Sequence, residues 1–295
     1  MGIMIKYLNL ADIIIRIKEP INIPLSESEK NFQTYNDKYD YDFEFIEDES
    51  FKIAIDEGTL IYEGPFFHIY NYKGYEIRAF FTYSEEHQVS YYYGVSYIGD
   101  KKGYFYYIDK KVLFDVMSKG PNQLTYICFE KILLKFDGLI LHSSFIKHNN
   151  KAILFTAPSG TGKSTQADLW EKYKNADIIN GDRTALRKVN GKWKAYGIPM
   201  CGNSNIYVND KMDLEAIVVI RQNKENIVNK ISMSDGFKYL YSEISLNNWN
   251  SDVVNKAFDL IMDLSSNVPM YFLQCTKEKE AVDCLAEVLE EKVHV

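Results

Sequence analysis

The chain has 295 residues, 46% of them hydrophobic and 25% charged, with a formal net charge of −7. That balance is typical of a globular protein with ample core in one large or two modest domains, and the negative charge argues against broad nucleic-acid binding. No apolar run approaches the ~20 residues of a membrane-spanning helix, and the N-terminus has no basic-then-apolar leader pattern, so the expected location is the cytoplasm.

The first part of the chain is rich in tyrosine: 17 of the 23 precede residue 130. Short aromatic and β-branched runs predict strands at 66–70, 75–81, 91–95 and 104–107, with hairpin turns at Asn71–Gly74 and Gly99–Gly103. An antiparallel sheet or small sandwich is expected. The tyrosines suit half-buried strands, and the functional alternative is a platform for an extended peptide. From Pro121 to Phe136 the pattern turns helical, and Asp137-Gly138 stops it. The expected division is a β-rich domain over 1–120 and a second domain over 121–295, of mixed α/β (α+β) class.

Strands are predicted at 139–147 and 151–156, joined at His148-Asn149-Asn150. They deliver the chain into Ala157-Pro158-Ser159-Gly160-Thr161-Gly162-Lys163-Ser164, and a helix is predicted from Thr165 onward. Strand, glycine-rich turn and helix form the setting of a phosphate-binding loop. Backbone N–H groups of such a turn converge at a helix N-terminus and carry partial positive charge. Ser159, Gly160, Thr161, Gly162, Lys163, Ser164 and Thr165 are therefore expected to hold the phosphates of ATP or another nucleoside polyphosphate. Lys163 would reach its terminal phosphates and the Ser164 hydroxyl would ligate Mg²⁺. Alanine at 157 stands where the motif usually has its first glycine.

Downstream, strands are predicted near 176–180, 184–189, 192–197, 214–220 and 269–275. Helices are predicted near 234–245, 251–265 and 277–291. The strand Ala176–Asn180 leads into Gly181-Asp182-Arg183, which places Asp182 at the sheet end that carries the phosphates. A carboxylate there can bind Mg²⁺ through water or accept a proton from an attacking hydroxyl. Arg183 would balance phosphoryl charge or pair with a surface acid. The turn-rich segment Gly197–Asn205 has the character of an active-site loop, and Cys201 within it has no visible base to make it a nucleophile. None of Cys128, Cys201, Cys275 and Cys284 has C-x-x-C spacing, and His68, His87, His142, His148 and His294 show no metal-binding spacing.

Leu141-His142-Ser143-Ser144-Phe145-Ile146, the loop at 157–165 and Ile179-Asn180-Gly181-Asp182-Arg183 resemble, in order and spacing, the C-terminal domain of HPr kinase/phosphorylase. That fold is related to the nucleotide-binding part of phosphoenolpyruvate carboxykinase. The resemblance covers roughly 138–290 and implies that His142 is a catalytic-site residue, with Asp182 as the base. Two departures stand out: Gly181-Asp182 replaces the family's paired aspartates, and Tyr196–Asn205 replaces its Arg-Gly-Leu-Gly-type loop, so phosphorolysis is not implied. The chain is more similar to HPr-kinase-like proteins of ribosomally made peptides, including lasso-peptide kinases, in Phe155–Trp170 and in Tyr196-Gly197-Ile198-Pro199-Met200-Cys201-Gly202. Their implied activity is phosphoryl transfer from a nucleotide to a serine hydroxyl of a peptide. The alternatives are a small-molecule hydroxyl kinase, a nucleotide-binding regulatory module without catalysis, and a carboxykinase-like enzyme whose manganese ligands have no counterpart here.

Overall fold

Ile13, Ile15 and Ile17 are buried while Ile14, Arg16 and Lys18 between them are half-buried, the period of two of a strand with one face in a core. Strands account for more of the described residues than helices do. The computed structural model describes residues 3–20, 22–84, 88–119 and 123–290. His87, His294, Pro121, Glu291 and the domain boundary expected at 120/121 lie outside them. The chain divides into two compact units, Met1–Lys135 and Phe136–Val295. No helix among the described residues is long and apolar enough to cross a membrane.

In the first unit the strands are β1 (Met4–Leu10), β2 (Ile13–Glu19), β3 (Tyr41–Glu47), β4 (Thr59–Glu63), β5 (Phe67–Tyr72), β6 (Tyr75–Ser84), β7 (Val89–Ile98) and β8 (Lys102–Tyr107). They form one sheet in the order β1-β2-β3-β8-β7-β6-β5-β4. The β2–β3 and β3–β8 pairs are parallel and the others antiparallel. A single mixed sheet thus replaces the antiparallel sheet or sandwich expected. Parallel neighbours need long crossovers, and the connection from β3 to β8 contains the whole β4–β7 meander.

Among the described residues the helices that accompany this sheet are α1 (Glu27–Lys30), α2 (Phe51–Asp56), α3 (Lys110–Lys119), α4 (Gln123–Tyr126) and α5 (Phe129–Lys135). The helix expected over 121–136 is broken, because Cys128 takes a left-handed backbone with φ 51°, which ends α4 before α5 begins. Both short helices belong to the first unit. The Tyr126 ring packs 5.1 Å from Phe80 and 5.5 Å from Phe105, so aromatic packing holds this stretch with the β-rich sheet. Tyr41, Tyr93 and Tyr107 are likewise buried in that core.

The second unit contains β9 (Gly138–His148), β10 (Lys151–Thr156), β11 (Asp177–Asn180), β12 (Arg183–Val189), β13 (Lys192–Gly197), β14 (Lys211–Gln222), β15 (Ile227–Lys230) and β16 (Met270–Cys275). Its helices are α6 (Lys163–Lys174), α7 (Met233–Glu243), α8 (Ser251–Asn267) and α9 (Lys279–Glu290). Two long strands change partners along their length. β9 pairs with β12 up to His142 and with β10 from Ser143 onward. β14 pairs with β13 at Lys211–Asp213, then runs parallel to β10 and β16. On one face, Phe155, Val218 and Leu273 of the sheet bury Trp170 of α6 and Leu285 of α9 in a common cluster.

That change of partner positions the site. Thr156 at the end of β10 sits opposite Ser143, and Arg183 at the start of β12 sits opposite His142. The loop after β10 and the turn before β12 therefore meet at adjacent residues of one strand. β11 also pairs antiparallel with β9, so it runs in the same direction as β10 with β9 between them.

Candidate active site

Residues 157–162 turn between β10 and α6 on two glycines with left-handed backbones, Gly160 at φ 77° and Gly162 at φ 117°. A Cβ at either position would meet nothing within 4 Å. These residues are thus glycine for conformation, and the turn leaves an open cradle above the first turn of α6. Lys163, the first residue of that helix, is an unfavourable cation at the positive end of the dipole. Its Nζ curls back to the carbonyls of Ala157 at 2.8 Å and Pro158 at 3.5 Å. Burial pushes its ammonium below the ordinary lysine range, opposed by the nearby Glu243 and Asp182 carboxylates.

Across the cleft, the buried Asn180 side chain builds the turn that presents Asp182. Its Oδ1 accepts from the backbone N–H groups of Asp182 at 2.9 Å and Arg183 at 3.0 Å, and its Nδ2 donates to Ile198 O at 2.8 Å. The Ser143 N–H donates to Asp182 O at 2.9 Å and the Ser144 hydroxyl to Gly181 O at 3.1 Å, tying the turn to β9. Asp182 Oδ1 lies 3.5 Å from His142 Nε2, and Asp182 Oδ2 lies 3.4 Å from Arg183 Nε. The hydrogen bond from His142 holds the Asp182 carboxyl below the ordinary range, with Arg183 and Lys163 adding to it and partial burial opposing. Arg183 also donates to the Ser245 hydroxyl at 2.6 Å.

His142, Ser159, Gly160, Gly162, Lys163, Ser164, Thr165 and Asp182 line one cleft of ≈ 560 Å³, within the range of small-ligand sites. Thr161 does not line it. Its carbonyl accepts from Gln222, and it borders a neighbouring cavity of ≈ 420 Å³ together with Tyr239 and Glu243.

Gly181 is glycine for space: an added Cβ would stand 2.4 Å from both Cβ and Oγ of Ser204. The loop at 201–205 therefore fills the place of a second carboxylate beside Asp182. Cys201 reaches the cleft, but burial pushes its thiol up, away from the thiolate a nucleophile requires.

Sequence reasoning missed Glu243. α7 ends there, Ile244 continues as extended backbone bridged to Leu141, and Ser245 N–H donates to Ile140 O at 2.9 Å. This docks the helix end against β9 and brings Glu243 Oε2 to 3.0 Å from His142 Nδ1. The local signal was an acid at a helix C-terminus, where the dipole disfavours it.

Among the described residues no group of three or more His, Cys, Asp and Glu side chains is arranged to hold a metal alone. Mg²⁺ on a phosphate substrate usually takes one or two protein oxygens and completes its shell with phosphates and water. Ser164 and Asp182, facing the same glycine cradle, fit that donor set.

No family model and no curated protein matches the chain. Among solved structures, it is similar to the Hpr(Ser) kinase/phosphatase from Coxiella burnetii at 9% identity and a TM-score of 0.34, over 53% of this chain and 99% of that one. A likeness this loose transfers no residue role, so the chemistry rests on the chain's own side chains.

Proposed function

We propose that the second unit is an ATP-dependent kinase, with ATP or another nucleoside polyphosphate as donor and a hydroxyl as acceptor. The observation that carries this reading is the convergence of the Lys163 ammonium, the glycine cradle and the ionised Asp182 carboxylate on one cleft. The loop N–H groups and α6 N-terminus hold the β- and γ-phosphates, and Lys163 leaves its two loop carbonyls to bind their oxygens. Asp182 accepts the proton of the acceptor hydroxyl as its oxygen bonds to the γ-phosphorus, while the bond to the β,γ-bridging oxygen breaks and the nucleoside diphosphate departs. Mg²⁺, held by Ser164 and by Asp182 through water, would neutralise charge on the phosphates. Arg183, paired with Asp182, helps keep that carboxylate ionised.

A serine of a peptide or protein is the proposed acceptor, on the strength of the sequence resemblance; a small-molecule hydroxyl is the alternative. Gly181, with no room for a second carboxylate, favours one other reading, a nucleotide-binding regulatory module that binds without turnover. Calorimetric titration with Mg·ATP tests the shared first step. Wild type should bind, and Lys163→Ala, with an unchanged circular-dichroism spectrum, should lose affinity by about tenfold or more, since a hydrogen bond to a charged group contributes about 1.5–3 kcal/mol. Equal affinity in the two proteins would remove Lys163 from the site.

A further inference from the structure

The last residue of α7 carries charge of the wrong sign for its place, because a carboxylate there faces the negative end of the helix dipole. Glu243 is also nearly buried, with its side chain 11% exposed, and its partner is the Nδ1 of His142 at 3.0 Å. The other imidazole nitrogen, Nε2, lies 3.5 Å from Asp182. The three side chains thus form a chain from the helix end to the cleft, in the order Glu243, His142, Asp182.

We infer that Glu243 is a positioning residue for the proposed phosphoryl transfer, acting through His142. An ionised carboxylate can accept hydrogen bonds but donate none, so Glu243 requires the proton on Nδ1. That fixes the ring's rotation about its Cβ–Cγ bond and turns Nε2 toward Asp182, to which it donates when it too carries a proton. Flipping the ring would leave a nearly buried carboxylate without its partner, a cost that favours the single orientation. The backbone enforces the pairing as well: the antiparallel Leu141–Ile244 bridge places residues 142 and 243 side by side on neighbouring segments. No covalent step passes through Glu243. It sets where His142 stands while Asp182 takes the proton.

The inference rests on the kinase reading for its catalytic part, and on the Glu243–His142 pair alone for its structural part, so the test has two arms. In the first, kcat and KM for Mg·ATP are measured on the full chain as wild type, Glu243→Gln, Glu243→Ala, His142→Gln and the double variant His142→Gln/Glu243→Ala. Glu243→Ala should lower kcat about 10- to 100-fold, as loss of a ligand-orienting partner does, with KM within about twofold. Glu243→Gln, whose amide oxygen can still accept from Nδ1–H, should lose less. In the His142→Gln background, removing Glu243 should cost far less than it does in wild type. Unchanged kcat in Glu243→Ala, or losses that multiply in the double variant, would overturn the role. In the second arm, ¹⁵N-labelled histidine in the full chain is read by long-range ¹H–¹⁵N spectra, with His142 assigned by its loss in His142→Gln. Wild type should carry the proton on Nδ1, and Glu243→Ala should redistribute it. An unprotonated Nδ1 in wild type would overturn the pairing. If the protein turns over no acceptor at all, the kinase reading fails, and the second arm still decides whether Glu243 orients His142.

Discussion

Gly181 and Ser204 are a pair whose sizes are set against each other. A Cβ at 181 would lie 2.4 Å from the Ser204 side chain, and overpacking of this kind costs about 1–3 kcal/mol. Gly181→Ala should therefore lower unfolding free energy by about that amount in denaturant titration, and a second change, Ser204→Gly, should restore most of it. A Gly181→Ala protein as stable as wild type would show that the 201–205 loop gives way freely. Legibility at this scale followed sequence distance. The glycines, Lys163 and Ser164 are contiguous, so local spacing and turn chemistry placed them together. Asp182 was reachable because a short strand ends beside it. Glu243 was not: it lies 101 residues from His142, and only the docking of α7 on β9 joins them.

α6 is the element on which the loop depends, and one side chain anchors it. Trp170 is fully buried, with ring centroids 5.2 Å from His148 and 6.3 Å from Phe155, so the helix is pinned to the two strands that feed the loop. Trp170→Ala should cost about 3–5 kcal/mol of stability by equilibrium unfolding; a loss below about 1 kcal/mol would mean that α6 is held elsewhere. Elements of the second unit were legible to within about three residues at most ends, because β9–β10, β12–β13 and α6–α9 each carry their own hydrophobic period. β15 was not foreseen: Ile227–Lys230 is four largely exposed residues whose strand character comes from pairing with β16. In the first unit, β1 to β4 were not foreseen, although β2 and β3 alternate along their length, and the parallel joins β2–β3 and β3–β8 left no local signature, since non-local pairing is a tertiary fact. The break at Cys128 was equally invisible, because neither glycine nor proline marks it.

At the scale of the whole molecule, all the residues proposed for binding and transfer belong to Phe136–Val295. A fragment of those residues should fold and bind Mg·ATP as tightly as the full chain by calorimetry. Beginning instead near Gly120 would carry along Leu124, Tyr126, Ile132 and Leu133, which are buried in the intact protein. If residues 1–135 hold the acceptor, the fragment should bind nucleotide yet phosphorylate poorly. A fragment that transfers phosphate as well as the full chain would remove the tyrosine-rich unit from acceptor recognition. One that is insoluble would show that the two units do not fold separately.

The central claim is that this cleft moves a phosphoryl group with Asp182 as its base, and ³¹P NMR of Mg·ATP with the full chain and serine-containing peptides tests it most directly. Wild type should convert the γ-phosphate signal into a phosphomonoester on the peptide. Asp182→Asn, at equal nucleotide occupancy, should do so about 10²–10⁴-fold more slowly, the contribution of a positioned general base. Equal transfer rates in the two proteins would contradict the account, as would a wild-type protein that holds nucleotide indefinitely without forming any phosphomonoester.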